Sequence, residues 1–229
     1  MIKFKSKLEK IDKIIHLSDI HVRNFKRHEE FRKVFSRLKS YVKSVVTKET
    51  LICITGDIVH AKTDVTPELF QEVQSLFKML SDIAPLLIIP GNHDTNLNNS
   101  HRLDAITPII NALNSDNILY VKDTSTFKIG NVNFSHWSVF DKKEKFIKAS
   151  EIGGEYKVCL YHGPVNGTLT QPGYQFINQN LSVSDFEGFD IVLLGDIHLH
   201  QTLQEYSIEE LEIEEEELEK YLKDGWELS

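Results

Sequence analysis

The stretch LICITGDIVH, residues 51–60, is an apolar run of strand length that breaks on a glycine and at once presents an aspartate. So short an apolar run, bounded by turn residues, suits a strand buried on both faces. The arrangement recurs along the chain. KIIHL at 13–17 runs into Ser18, Asp19, Ile20 and His21, and PLLIIP at 85–90 runs into Gly91, Asn92, His93 and Asp94. YKVCLYH at 156–162 ends on His162, and IVLL at 191–194 runs into GDIHLH, residues 195–200. Nearly every residue able to hold a metal therefore follows a strand. In open α/β sheets ligands gather beyond the carboxyl ends of the strands, where segments distant in sequence meet.

Helical patterns separate these runs. Phe31, Val34, Phe35, Leu38, Tyr41, Val42 and Val45 repeat at helical spacing, with Arg32, Lys33, Arg37, Lys39 and Lys43 between them, which predicts an amphipathic helix with that stripe in the core. A second helix starts at Thr66-Pro67, a cap followed by proline in the first turn, and presents Leu69, Phe70, Val73, Leu76, Phe77 and Leu80. Gly130-Asn131 between 125–129 and 132–137 marks a hairpin, so the sheets are expected to be mixed. The predicted class is α/β, two layers of mixed sheet flanked by helices.

Composition excludes other classes. Hydrophobic residues make up 41% and charged residues 26% of the 229, which is ordinary for a globular chain and wrong for a disordered one. No apolar run approaches the ~20 residues of a membrane-spanning helix, and residues 1–13 lack a secretory signal; an intracellular, non-membrane protein is expected. Cys53 and Cys159 each sit inside an apolar run and read as small packed hydrophobes. The net charge of −8 is concentrated at one end: residues 201–229 hold eleven acidic and two basic side chains, so residues 1–200 hold 23 acidic against 24 basic. A DNA substrate stays compatible with that balance, because cations held by the body carboxylates would leave the site locally positive.

Single motifs are weak. Asp19-x-His21 and His198-x-His200 place side chains two apart on one face of an extended segment, and Asp57 after a glycine is also an ordinary turn residue. Together they form a mixed oxygen and nitrogen donor set suited to manganese, zinc or iron rather than calcium. A carboxylate bridging two such ions about 3.5–4 Å apart supports in-line displacement at phosphorus.

The ordered blocks D-I-H at 19–21, G-D-I-V-H at 56–60, G-N-H-D at 91–94, Y-H-G at 161–163 and G-D-I-H-L-H at 195–200 resemble the calcineurin-like metallophosphoesterases. Within them, H-L-S-D-I-H at 16–21, R-H-E-E-F at 27–31 and His60, three residues beyond Asp57, resemble the SbcD-type DNA repair nucleases. The resemblance implies a first metal held by Asp19, His21, Asp57 and His200 and a second held by Asp57, Asn92, His162 and His198, with Asp57 as the bridge. It implies that His93 stabilises charge or protonates the leaving oxygen, that Asp94 orients the His93 ring, and that His60 helps place the scissile phosphate. The implied cofactors are two divalent ions, manganese foremost, with magnesium, zinc or iron as alternatives. DNA is the implied substrate, an SbcC-like SMC-type ATPase subunit the implied partner, and a homodimer is compatible.

Gly195 and Asp196 read as loop-shaping residues and His16 as a packed one, while His101 and His136 have no ligand spacing. Arg23, Lys26 and Arg27 either reach a DNA backbone or form a solvated loop. The likeness ends near residue 206, giving a nuclease domain over 1–206 and an acidic helical tail over 207–229 in place of the separate DNA-capping domain that the resemblance to SbcD-type nucleases implies. That tail either covers a sheet edge with Leu211, Leu218, Tyr221 and Leu222 or competes with phosphate through its glutamates. Against a DNA exonuclease or endonuclease stand a phosphodiesterase or phosphatase of small substrates and a catalytically silent adaptor of the same fold.

Overall fold

In a computed structural model, residues 8–63, 65–99, 101–170, 172–199, 201 and 203 are described. Among them eight strands and three α-helices follow in the order β1 (Lys13–Leu17), α1 (His28–Val45), β2 (Thr50–Thr55), α2 (Pro67–Ser81), β3 (Leu86–Ile89), α3 (Thr107–Leu113), β4 (Ile118–Tyr120), β5 (Ser125–Ile129), β6 (Val132–Trp137), β7 (Tyr156–His162) and β8 (Ile191–Gly195). The first four strands form a parallel sheet in the order β1-β2-β3-β4. When strand order rises steadily and each crossover has the same hand, all the helices fall on one face of the sheet. Ile52, Ile54, Leu86 and Ile88 accordingly pack with Leu69, Val73, Phe77 and Ile109 from the helices.

The alternate residues of the same strands face the other way. Leu51, Cys53, Leu87 and Ile89 pack against Ile129, Phe134, Val158 and Leu160 of a second sheet, in the order β5-β6-β7-β8. All six residues of β2 are buried because it lies inside both layers of packing. The second sheet is mixed: β5 and β6 are an antiparallel hairpin turning at Gly130, and β6, β7 and β8 run parallel. Its outer face is covered by loops and short 3-10 turns around Trp137, which stacks on Phe146 and Phe186 with ring centres 4.9 Å apart. No described helix is long and apolar enough to cross a membrane.

The expected strands are found, with ends shifted by a residue at most, and Thr66 caps α2 by accepting from Leu69 N–H. The α1 stripe is narrower than its periodicity implied. Val42 is fully buried and Phe31, Phe35 and Leu38 are half-buried, but Val34 and Tyr41 are 54% and 62% exposed. They flank the contact line of a helix that touches the sheet along one ridge. The helix α3 and strand β4 were not foreseen, being short segments of seven and three residues. The acidic stretch beyond residue 203 lies outside the described residues. Cys53 and Cys159 are buried and unpaired, and burial pushes both thiols up, as expected of packed hydrophobes.

His136 is structural, with no exposed surface; its Nδ1–H donates to the Asp123 carbonyl at 3.1 Å and Nε2 has no protein partner among the described residues. Protonation would leave a buried cationic N–H unsatisfied, so burial pulls its pKa down to about 4, against the opposing Asp123 carbonyl and Asp141 charge. The unfolded chain, with histidine near 6.5, binds the proton first. Stability is therefore full above pH 6.5, falls through the window from 6.5 to 4, and loses about 3 kcal/mol through this residue. Urea unfolding of His136→Asn across that window should show a shallower pH dependence than the natural chain. Parallel curves would contradict the assignment.

Candidate metal centre

The two sheets are tied together at the carboxyl end of β2 by one residue, Thr55. The Thr55 carbonyl accepts from Ser18 Oγ at 3.0 Å and from His162 Nδ1 at 2.7 Å, and its hydroxyl donates to the Leu194 carbonyl at 3.3 Å while meeting His16 Nε2 at 2.7 Å. Ends of β1, β2, β7 and β8 are thereby drawn together, which leaves no room for side chains between them. A methyl group on Gly56 would lie 2.5 Å from His162 Nδ1 and 2.6 Å from Gly91 N; on Gly91 it would overlap the Asp57 carboxylate, and on Gly195 the Thr55 carbonyl. Each of these glycines is followed at once by a polar side chain, Asp57, Asn92 or Asp196. Asp19, His21, Asp57 and Asp196 all take left-handed φ values, of 54°, 49°, 52° and 76°. Such strain in non-glycine residues is held only where the surroundings enforce it, here through Asp19 N–H to the Gly56 carbonyl and His21 N–H to the Asp57 carbonyl.

Asp57, 1% exposed, is at the centre. Its Oδ2 lies 3.5 Å from His21 Nε2 and its Oδ1 lies 3.3 Å from His162 Nε2. The Asn92 amide oxygen faces it, 3.1 Å from His162 Nε2 and 3.2 Å from both Asp57 oxygens. Turned the other way the amide would donate to Asp57; oxygen inward, it offers the electron pair a cation takes. Because His162 Nδ1–H donates to the Thr55 carbonyl, its Nε2 is the nitrogen presented to the site. Burial lowers the His162 pKa, but the hydrogen bond and charge of Asp57 outweigh it and lift it to about 9. Burial raises the Asp57 pKa and His162 more than reverses it. Nitrogen and oxygen donors converging this closely are a set that divalent cations fit, because a cation offsets the mutual repulsion of the carboxylates.

The end of β8 differs from the expected arrangement. His198, expected beside His162, instead lies 3.3 Å from His21 Nε2 and 3.6 Å from Asp19 Oδ1. The residue beside His162 is Asp196, whose Oδ1 is 4.0 Å from His162 Nε2 and whose N–H donates to both Asp19 oxygens. The left-handed turn at Asp196 accompanies the placement of its carboxylate, and not the imidazole two residues on, beside His162. His200 lies outside the described residues. A signal for Asp196 was in the sequence: Gly195-Asp196-Ile197 repeats Gly56-Asp57-Ile58, each after an apolar strand.

His93 donates its N–H to Asp57 Oδ1 at 2.8 Å, and its ring meets those of His21 and His60 with centres 4.9 and 5.7 Å away. Asp94 does not orient that ring. His93 Nδ1 donates to the His60 carbonyl at 2.6 Å, while Asp94, fully buried, accepts from Val59 N–H and Gly91 N–H at 2.9 Å each. The carboxylate clamps the segment after β2 to the segment after β3, and burial pushes its pKa up to about 7 against those two donors. Burial and then the Arg23 charge pull the His60 imidazole down. Arg27 pairs with Glu30 and His28 Nε2 donates to the Arg23 carbonyl, so R-H-E-E shapes the start of α1.

Comparison with known proteins adds three findings. The profile of the calcineurin-like phosphoesterase family matches residues 12–200. A protein of Acanthamoeba polyphaga mimivirus, named Uncharacterized protein R555, is 41% identical over 204 residues; the match spans 84% of this chain and 15% of that protein's length. The crystal structure of Pseudomonas putida nuclease MPE is similar with a TM-score of 0.38 and 15% identity, over 71% of this chain and 66% of that one.

Crowding at the strand ends is testable with two glycines of like conformation. Gly56 and Gly167 have φ of 89° and 91°, but a methyl group on Gly167 meets nothing within 4 Å. Gly167→Ala should cost about 1–2 kcal/mol of left-handed strain. Gly56→Ala should cost roughly 1–3 kcal/mol more through overpacking and weaken manganese binding by displacing His162. Equal losses in urea unfolding, with unchanged manganese affinity, would contradict the crowding.

Proposed function

The chain belongs to the calcineurin-like phosphoesterase family, and on that footing we propose that it hydrolyses phosphodiester bonds in DNA with two divalent cations, manganese foremost. The observation that carries the reading is the Asp57 carboxylate, whose two oxygens face His21 on one side and His162 on the other. A single buried carboxylate placed between two such donor sets suits a bridge between two ions. Cations held there lower the pKa of a water and neutralise phosphate oxygens. The remaining work falls to protein groups. The oxygen of water would form a bond to phosphorus and release a proton to solvent, the opposite phosphorus–oxygen bond would break, and His93, its Nδ1–H held by the His60 carbonyl, would give its Nε2 proton to the leaving oxygen and regain one from solvent. His60 and Arg23 steady the phosphate.

Two features favour a polynucleotide over a small phosphoester. Arg23, Lys26 and Lys62 supply cationic groups on the segments after β1 and β2, suited to neighbouring phosphates. Phe25 and Tyr174, 72% and 74% exposed, stand on the segments that follow β1 and β7, where flat apolar faces suit stacked bases. In this reading the chain is the nuclease part of an SbcC-like ATPase assembly in DNA repair, supported by the blocks at 16–21 and 27–31.

The test is end-labelled DNA, with bis-p-nitrophenyl phosphate and p-nitrophenyl phosphate as small competitors, added to metal-stripped protein with manganese, magnesium, zinc or calcium supplied separately. DNA should be cut with manganese and spared with calcium. Asp57→Asn should lose hydrolysis and bound metal with unchanged circular dichroism. His93→Asn should keep its metal and lose ~10²–10⁴-fold in rate. Turnover of the small esters alone would refute the DNA assignment, and wild-type rates in Asp57→Asn would refute the bridge.

A further inference from the structure

We infer that Asp196 is a ligand of the second cation position and makes it an oxygen-rich site, so that the two halves of the centre select different metals. The inference rests on the two-cation reading above and deepens it. Ligands about 2.0–2.2 Å from one ion stand about 3–4.2 Å from each other. From His162 Nε2, the Asn92 oxygen is at 3.1 Å, Asp57 Oδ1 at 3.3 Å and Asp196 Oδ1 at 4.0 Å, all inside that range. These donors are one nitrogen and three oxygens, and a carboxylate oxygen of Asp19 also lies within 4.8 Å of Asp57 and His162. Around His21 the composition is different. His198 Nε2 is 3.3 Å from His21 Nε2, Asp57 Oδ2 is 3.5 Å from the same atom, and Asp19 Oδ1 is 3.6 Å from His198, giving two nitrogens and two oxygens.

The backbone holds Asp196 in this place. Its N–H donates to the Asp19 carboxylate at 3.0 and 3.2 Å, and its left-handed φ turns the chain there. Imidazole-rich sets favour zinc and iron, whereas carboxylate and amide oxygens suit manganese and magnesium. The His21 side should therefore exchange manganese for zinc readily, and the His162 side should resist.

The experiment reads metal and needs no substrate. The full chain is loaded with manganese, zinc is titrated in, and aqueous manganese released is followed by electron paramagnetic resonance. Two steps are expected, the second needing at least about tenfold more free zinc. Asp196→His, a residue that tolerates left-handed φ, should merge the second step with the first. Asp196→Asn should weaken one manganese at least about tenfold and leave the other, with circular dichroism unchanged. A single step in the natural chain, or a second step unmoved in Asp196→His, would overturn the inference and leave the two-cation reading standing. Fewer than two manganese ions bound by the natural chain would overturn both.

Discussion

The arrangement depends on the lack of space at the carboxyl end of β2. The ends of β1, β7 and β8 are tied to Thr55 at the end of β2, β3 pairs alongside it, and the positions next in line can only be Gly56, Gly91 and Gly195. Because those glycines let the backbones touch, the residues after them, Asp57, Asn92 and Asp196, enter one small volume from three separate strands. Close packing and ligand convergence are thus one feature. The two sheets supply the rest: the first brings Asp19, His21, Asp57 and Asn92, and the second brings His162, Asp196 and His198. Neither sheet brings all of the proposed ligands.

Such a cluster is costly to the fold. Carboxylates at Asp19, Asp57 and Asp196 repel one another, four residues hold left-handed backbone, and Asp94 is buried with a carboxyl shifted to about 7. The fold offsets the cost with donors aimed at the acids: His93 N–H on Asp57, Asp196 N–H on Asp19, and the Val59 and Gly91 N–H groups on Asp94. Burying charge is tolerated when it is hydrogen-bonded and tied to function.

Much of this was legible from residues 51–60 outward. Apolar runs ending on ligand-capable residues located the strands and the end of the sheet that carries the site, and the family resemblance implied the convergence around Asp57. Local pattern did not supply what is set by backbone direction. Asp196 and His198 differ by two positions, and which of them reaches His162 depends on a left-handed turn that periodicity does not encode. The same limit applies to Asp94: its neighbour His93 is adjacent in sequence, yet its carboxylate reaches Val59 and Gly91 instead. Val34 and Tyr41 fit the helical period of α1 but miss the sheet, since contact width depends on how the helix is seated. The short α3 and β4 carry too few residues for a period.

The central claim is that Asp57 joins two cations, and electron paramagnetic resonance of metal-stripped protein titrated with manganese tests it most directly. Two ions bridged by one carboxylate about 3.5–4 Å apart should bind at two per chain and give an exchange-coupled signal, with the coupling lost in Asp57→Asn. One manganese per chain, or two giving only the signal of isolated ions, would contradict the account.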